Sequence, residues 1–139
     1  MITKVLVGYD GSPSSEDAFT FAVELASKFG AELHILGVAR PPEFAEEVET
    51  RAVIEQSRRH LDKALAGARA RLRTARQAHH FHVAVGHPAE QIVRYAEENA
   101  IDHIVVGHRG HTMFERWLIG SVARQVIAYA HCAVTVVRK

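Results

Sequence analysis

Short apolar runs rich in β-branched residues alternate with longer segments of helical periodicity from one end of the chain to the other. Alternation of this kind within one domain requires right-handed β-α-β crossovers, which lay the strands parallel and put helices on both faces of the sheet. The sequence therefore predicts an α/β fold with a five-stranded parallel sheet. Its strands are predicted at residues 5–8, 32–38, 81–85, 104–107 and 133–137.

Start and stop signals place helices between these strands. Ser12 is a suitable N-cap, Pro13 fits the first helical position, and Gly30 supplies a left-handed stop. Phe29 is predicted to close the apolar face of this first helix. A longer helical pattern runs from about 43 to 76, acidic in its first part and basic in its later part. Its basic half is predicted to be a solvated face.

Length, charge and cysteine content narrow the class of protein. The 139 residues suit one domain, predicted to span 1–139, and 47% hydrophobic residues supply a core. A net charge of +1 argues against nucleic acid as a partner. The apolar runs fall well short of about 20 residues, so membrane insertion is not expected. Cys132, the single cysteine, favours a cytoplasmic location.

A glycine-containing loop follows the fourth strand and leads into the last helix. Gly107 and Gly110 are separated by two residues, and nine further residues lead to Gly120 and Ser121. Glycines let backbone N–H groups approach an anion closely, and the first turn of a helix adds unpaired donors and partial positive charge. The sequence therefore predicts a phosphate site at this loop. The backbone N–H of Val122 is a further donor, and the side chains of His108 and Arg109 add cationic contacts.

The turn after the first strand forms the other half of the predicted site. Asp10-Gly11-Ser12 offers a carboxylate that can accept from ribose hydroxyls or hold Mg²⁺. The alternative is that Asp10 and Ser12 only shape the turn and cap the helix. Val38, at the end of the second strand, offers an apolar surface against which a purine can pack. Both turns follow strands, so they are expected to face one crevice where the strand order reverses.

Several familiar sites are absent from the sequence. No GxxxxGK[ST] loop is present, no GxGxxG follows the first strand, and no serine stands in a GxSxG elbow. The histidines raise a metal hypothesis, above all His79, His80 and His82. No cysteine or neighbouring carboxylate completes a ligand set there, so a solvated turn is the favoured interpretation.

The motifs taken together resemble those of the universal stress protein family, in its single-domain A-type form. The resemblance covers essentially the whole chain and includes residues 5–12, 86–92 and 102–107. Its most specific part is G-x2-G-x9-G-S at Gly107, Gly110, Gly120 and Ser121, which is the signature of the ATP-binding branch. Ala123 departs from those binders that carry a hydroxyl residue at this position.

The resemblance implies a fold, a ligand and an assembly. The fold is a Rossmann-like domain of the adenine nucleotide alpha hydrolase-like type, and the ligand is ATP, with Mg²⁺ held at Asp10. AMP and cyclic AMP are alternative ligands. A homodimer is implied through the last strand, Ala133–Val137. The implied nucleotide-binding residues are Tyr9, Asp10, Gly11, Ser12, Val38, Gly107, His108, Arg109, Gly110, Gly120, Ser121 and Val122.

Three functions are compatible with these features. The favoured one is a nucleotide-dependent regulator in the stress response, which is not an enzyme. A slow ATPase is the second, but phosphoryl transfer needs a positioned acceptor, and Glu115 is the only carboxylate near the glycine motif. The third is a nucleotide-free interaction module that uses the long charged helix as its surface.

Overall fold

The computed structural model describes residues 1–41, 47–108 and 119–138, and in these ranges strands and helices alternate as predicted. The strands are β1 (Lys4–Gly8), β2 (Glu32–Ala39), β3 (His79–Val85), β4 (His103–Gly107) and β5 (Ala133–Val137). The helices are α1 (Pro13–Phe29), α2 (Glu47–Arg71), α3 (Pro88–Glu98) and α4 (Ser121–Tyr129). None of these helices is both long enough and apolar enough to cross a membrane.

The five strands form one parallel sheet in the order β3-β2-β1-β4-β5. This confirms the predicted α/β fold. From β1 the chain builds outward through β2 to β3, and it then returns to place β4 on the other side of β1. The strand order therefore reverses between β1 and β4. In parallel sheets the carboxyl ends of the strands at such a point border a crevice.

Two apolar layers sandwich the sheet, because alternate residues of each strand point to opposite faces. Val5 and Val7 of β1 pack with α1 and α2, whereas Leu6 packs with α3 and α4 on the other face. All three side chains are fully buried. Burial of one such aliphatic side chain contributes about 1.5–3 kcal/mol, so both faces stabilise the central strands.

The predicted ends of α1 are confirmed, with one correction inside the helix. Ser12 caps its start, Pro13 is its first residue, and Gly30 ends it at a φ of 62°. The prediction for Phe29 was wrong, since this side chain is 57% exposed. Gly30 turns the chain away at this point, and the following Ala31 takes the fully buried position instead.

Helix α2 ends at Arg71, earlier than the sequence indicated, and residues 43–46 of its predicted start lie outside the described part. After Arg71 the chain tightens, with the Leu72 amide donating to the Arg69 carbonyl at 3.1 Å. Leu72 is buried in the same apolar layer as Leu65 and Ala68. The basic residues of this segment are exposed, which confirms the solvated face: Arg58, Arg59, Lys63, Arg69, Arg71, Arg73 and Arg76.

The turn predicted for His79, His80 and His82 was wrong, although His80 and His82 are exposed to solvent as that interpretation expects. They belong to β3, which begins at His79 and pairs with β2. His80 is the register partner of His34, a buried histidine of β2. Burial lowers the pKa of His34, and the raising effect of its hydrogen bond to Glu32 does not compensate. Glu32, on the neighbouring strand β2, supplies the carboxylate that the sequence pattern around these histidines lacked.

Candidate functional site

A cavity of about 370 Å³ opens at the carboxyl ends of β1 and β4. Its volume lies within the range of small-molecule sites, roughly 300–1,000 Å³. The strand ends form its floor, and the starts of α1, α3 and α4 and the middle of α2 form its walls. Its lining among the described residues includes Gly8, Tyr9, Asp10, Ser12, Ser14, Val38, Arg40, His60, Ile92, Gly107, Gly120, Ser121 and Val122.

Gly107 brings β4 against the first turn of α1. A Cβ atom at this position would lie 2.3 Å from Ser14 Oγ and 2.4 Å from the Ser14 carbonyl oxygen. No side chain fits within such distances without movement of the backbone. Gly8 is less constrained, since its Cβ would meet Ile92 Cδ1 at 3.1 Å. The glycine at 107 is therefore required by packing, in addition to any role at a phosphate.

The start of α4 borders the cavity with exposed backbone. Gly120 is the N-cap residue, and its carbonyl accepts the Arg124 amide at 3.0 Å. Gly120 has no side chain to cap the helix, and first-turn amides have no acceptor within their own helix. Ser121 and Val122 lie in this first turn and line the cavity. First-turn N–H groups that lack an acceptor in their own helix, together with the helix dipole, suit a negatively charged ligand.

The turn at Asp10 and Ser12 both lines the cavity and caps α1. The Ser12 amide donates to Asp10 Oδ1 at 2.9 Å, and Ser12 Oγ accepts from the Ser15 amide at 3.3 Å. These contacts are the ones expected if Asp10 and Ser12 shape the turn and cap the helix. Gly11 lies outside the lining formed by the described residues, and its φ of 82° favours glycine at this turn. A Cβ on Gly11 would face Ala64 of α2 at 3.2 Å.

Tyr9 belongs mainly to the core. Its ring packs against Phe19 with centroids 5.4 Å apart, and its hydroxyl donates to the Glu16 carboxylate. Burial, followed by this hydrogen bond and the charge of Glu16, raises the pKa of Tyr9 to about 12. The hydroxyl therefore stays protonated and committed to Glu16. Tyr9 lines the cavity near the floor, but its polar group has a structural partner elsewhere.

His108 directly follows β4 and is buried. Its amide donates to the Val137 carbonyl at 2.9 Å, and its Nε2 has no hydrogen-bond partner within the described ranges. It is not among the described lining residues. Arg109 and Gly110 of the predicted site fall outside the described residues, as does Glu115. Val38 lies where the sequence placed it, half-buried at the cavity wall.

Sequence reasoning missed five polar residues of the cavity: Ser14, Ser15, Arg40, Ser57 and His60. Ser14 lines it, and its Oγ is buried without a hydrogen-bond partner among the described residues. Arg40 follows β2, and His60 is exposed on α2. Ser14 had a usable signal, because it stands in the first turn of a helix that follows the first strand. Arg40 had the same signal as Val38, because it directly follows the second strand, whereas His60 had none, since only tertiary packing brings α2 over the end of β2.

Comparisons with known proteins agree with this architecture. The model of the universal stress protein family matches residues 1–138. Universal stress protein MJ0531 of Methanocaldococcus jannaschii is 34% identical over 139 residues, covering 98% of this chain and 82% of the relative. The solved structure of MJ0577 from the same organism has a TM-score of 0.87 at 26% identity, covering 100% of this chain and 98% of that one.

A further solved structure carries a ligand. It is a universal stress protein in complex with cyclic AMP, with a TM-score of 0.65 and 27% identity, covering 98% of this chain and 96% of the other. The sequence signature, the strand order and the whole-chain match all indicate the same family. This chain belongs to the universal stress protein family.

Proposed function

We propose that this chain binds an adenine nucleotide, ATP, in the cavity between β1 and β4 and acts as a nucleotide-dependent regulator in the stress response. The observation that carries the proposal is a cavity at the strand-order reversal, bordered by the capless first turn of α4. Residues 1–139 act as one domain in this proposal. The cytoplasmic location inferred from the single cysteine belongs to it as well.

The lining provides a different surface for each part of a nucleotide. Val38 offers an apolar wall for the adenine, and Asp10 offers carboxylate oxygen for the ribose or for Mg²⁺. Gly120 and Ser121 present the helix start to the phosphates. Arg40 and His60 lie at the same cavity and add donors that strengthen phosphate binding when charged. Arg109 and Gly110 keep their predicted phosphate role in this proposal.

The cyclic AMP complex of a family member at 27% identity supports an adenine nucleotide as the ligand class. AMP and cyclic AMP share the adenine and ribose contacts with ATP and differ in the number of phosphates. The glycine motif favours ATP, because by resemblance it is the signature of the ATP-binding branch of the family. Titration with the three nucleotides separately ranks them for this chain.

Thermal unfolding with ATP tests the proposal directly. A ligand at about 100 times its Kd that binds only the native state adds about 2.7 kcal/mol to the free energy of unfolding. For a chain of this length we expect ATP with Mg²⁺ to raise the Tm by roughly 5–10 °C. Guanosine triphosphate is the matched control, since it keeps the triphosphate and changes the base. No shift at millimolar ATP would favour the nucleotide-free interaction module instead.

Binding rather than turnover is the proposed purpose. Among the described lining residues Asp10 is the carboxylate, and one of its oxygens accepts the Ser12 amide at 2.9 Å. Phosphoryl transfer needs a positioned acceptor and strong neutralisation of charge. ATP is therefore expected to remain largely intact in the same titration. Release of phosphate faster than about one per second would identify an enzyme.

We also propose a homodimer formed through β5. This strand is at one edge of the sheet and pairs within the chain only with β4 among the described strands. Its last four side chains are half-buried, with valines at 134, 136 and 137. An uncovered apolar edge of this kind is normally paired or protected. Sedimentation equilibrium should give twice the chain mass of 15.4 kDa, whereas a monomer at micromolar concentration would contradict this interface.

A further inference from the structure

A second polar cluster lies at the opposite end of the sheet from the nucleotide cavity. Glu32 begins β2, and His34 follows it on the same face of the strand. His80 of β3 stands beside His34 in the parallel register. Helix α3 covers this face, and its Tyr95 hydroxyl lies 2.6 Å from His34 Nδ1. Three strand residues and one helix residue thus meet around a single point.

The donor atoms of this cluster converge. Glu32 Oε1 lies 3.0 Å from His34 Nε2 and 2.9 Å from His80 Nε2. The two imidazole rings are stacked with centroids 4.6 Å apart and planes 28° from parallel, so both rings turn an edge to the same carboxylate. The ligand atoms of the three residues all lie within 4.8 Å of one another. A small ion is therefore within reach of all three after minor adjustment.

From this geometry we propose that Glu32, His34 and His80 form a zinc-binding site. Two imidazole nitrogens and one carboxylate oxygen are a ligand set that Zn²⁺ accepts, with a water molecule in the fourth position. Bond lengths near 2.0–2.2 Å in a tetrahedron place ligand atoms about 3.3–3.6 Å apart. The two distances from Glu32 Oε1, 3.0 and 2.9 Å, therefore need to grow by a few tenths of an ångström, and the two histidine nitrogens, which lie within 4.8 Å of each other, need to adopt the same spacing. Mg²⁺ and Ca²⁺ prefer all-oxygen sites and do not fit this set.

The surroundings of the cluster hold one ligand rigid and leave the others accessible. His34 is 6% exposed and is fixed by Tyr95, whereas the side chains of His80 and Glu32 are 51% and 33% exposed. With zinc on Nε2, the Nδ1–H of His34 donates to the Tyr95 oxygen. Such an outer hydrogen bond orients the metal ligand and sets its tautomer. The exposed side supplies the path for the ion and the place for its water.

Calorimetric titration of tag-free, chelator-treated protein with Zn²⁺, in the absence of nucleotide, tests the site. We expect one ion per chain and a Tm that rises with zinc concentration. His80→Ala and Glu32→Gln should each weaken binding by about 100-fold, and Tyr95→Phe by about 10-fold or more. These changes avoid the buried His34. Circular dichroism of each variant shows that loss of binding is not loss of fold.

His82→Ala is the matched control. His82 is exposed two residues after His80 in β3, and its ring faces Tyr95 at 5.6 Å, but it is outside the set of three. Its loss should change zinc affinity by less than about threefold, as expected for a surface substitution. Tetrahedral Co²⁺ absorption should appear in the wild type and in this control, and vanish in His80→Ala. Absence of saturable zinc binding, or equal loss in His82→Ala, would overturn the proposal.

Discussion

Replacement of Gly107 by alanine should lower the Tm by about 7–10 °C. The new Cβ would lie 2.4 Å from the Ser14 carbonyl oxygen and 2.3 Å from Ser14 Oγ, so the backbone of β4 or α1 must move. Overpacking of a rigid contact typically costs 1–3 kcal/mol. The backbone partner puts this change at the upper part of that range, about 2–3 kcal/mol. Thermal unfolding followed by circular dichroism measures the shift.

Gly67→Ala provides a control of opposite sign. Gly67 is exposed within α2, and a Cβ there meets nothing within 4 Å. Glycine in a helix interior is less favourable than alanine by about 0.5–1 kcal/mol. The Tm should therefore rise by about 2–3 °C. If Gly107→Ala were as harmless as Gly67→Ala, the close approach of β4 and α1 would be wrong.

Replacement of Gly120 by valine should abolish nucleotide binding while the fold is kept. Gly120 has φ −61° and ψ 157°, which any L-residue adopts without strain. The fold should lose no more than about 1 kcal/mol, the usual difference between glycine and valine at an N-cap. The added side chain would occupy the start of α4, where the proposed phosphates meet the backbone. We expect a Kd at least about 100-fold higher, equal to about 2.7 kcal/mol.

A graded series separates steric exclusion from general damage. Gly120→Ala adds one carbon and should weaken ATP binding less than Gly120→Val does. Gly67→Val makes the same chemical change far from the cavity and should leave the affinity for ATP unchanged. The ATP-induced rise in Tm reports binding in each variant, and the Tm without ATP reports the fold. Normal binding by Gly120→Val would place the phosphates elsewhere.

Most of the fold was predictable because its signals are local. Strand β5 was predicted with its observed bounds, and Ser12 and Gly30 end a helix where their backbone preferences require it. One of the less accurate boundaries has a tertiary cause, since β3 starts at His79 because β2 extends far enough to pair with it. Helix α2 ends at Arg71 in a turn in which the Leu72 amide donates to the Arg69 carbonyl.

The candidate site was predictable in part. Asp10, Ser12, Val38, Gly107 and Gly120 line one cavity, as strand–turn–helix logic predicted for residues at strand carboxyl ends. Tyr9 and His108 follow strands too, but their side chains are drawn into buried surroundings. Arg40 directly follows β2, whereas Ser57 and His60 belong to the cavity through the packing of α2, for which no short motif exists.

The sequence by itself determined the class of fold, the parallel sheet and the glycine-bearing turns, since strand and helix periodicity and turn chemistry act over a few residues. Only the tertiary structure decided which distant residues meet. Gly107 needs its missing side chain because α1 packs on β4, and Glu32 meets His80 because β2 and β3 pair in one register. Contacts between residues this far apart in the chain depend on how whole elements pack, and no local pattern encodes them.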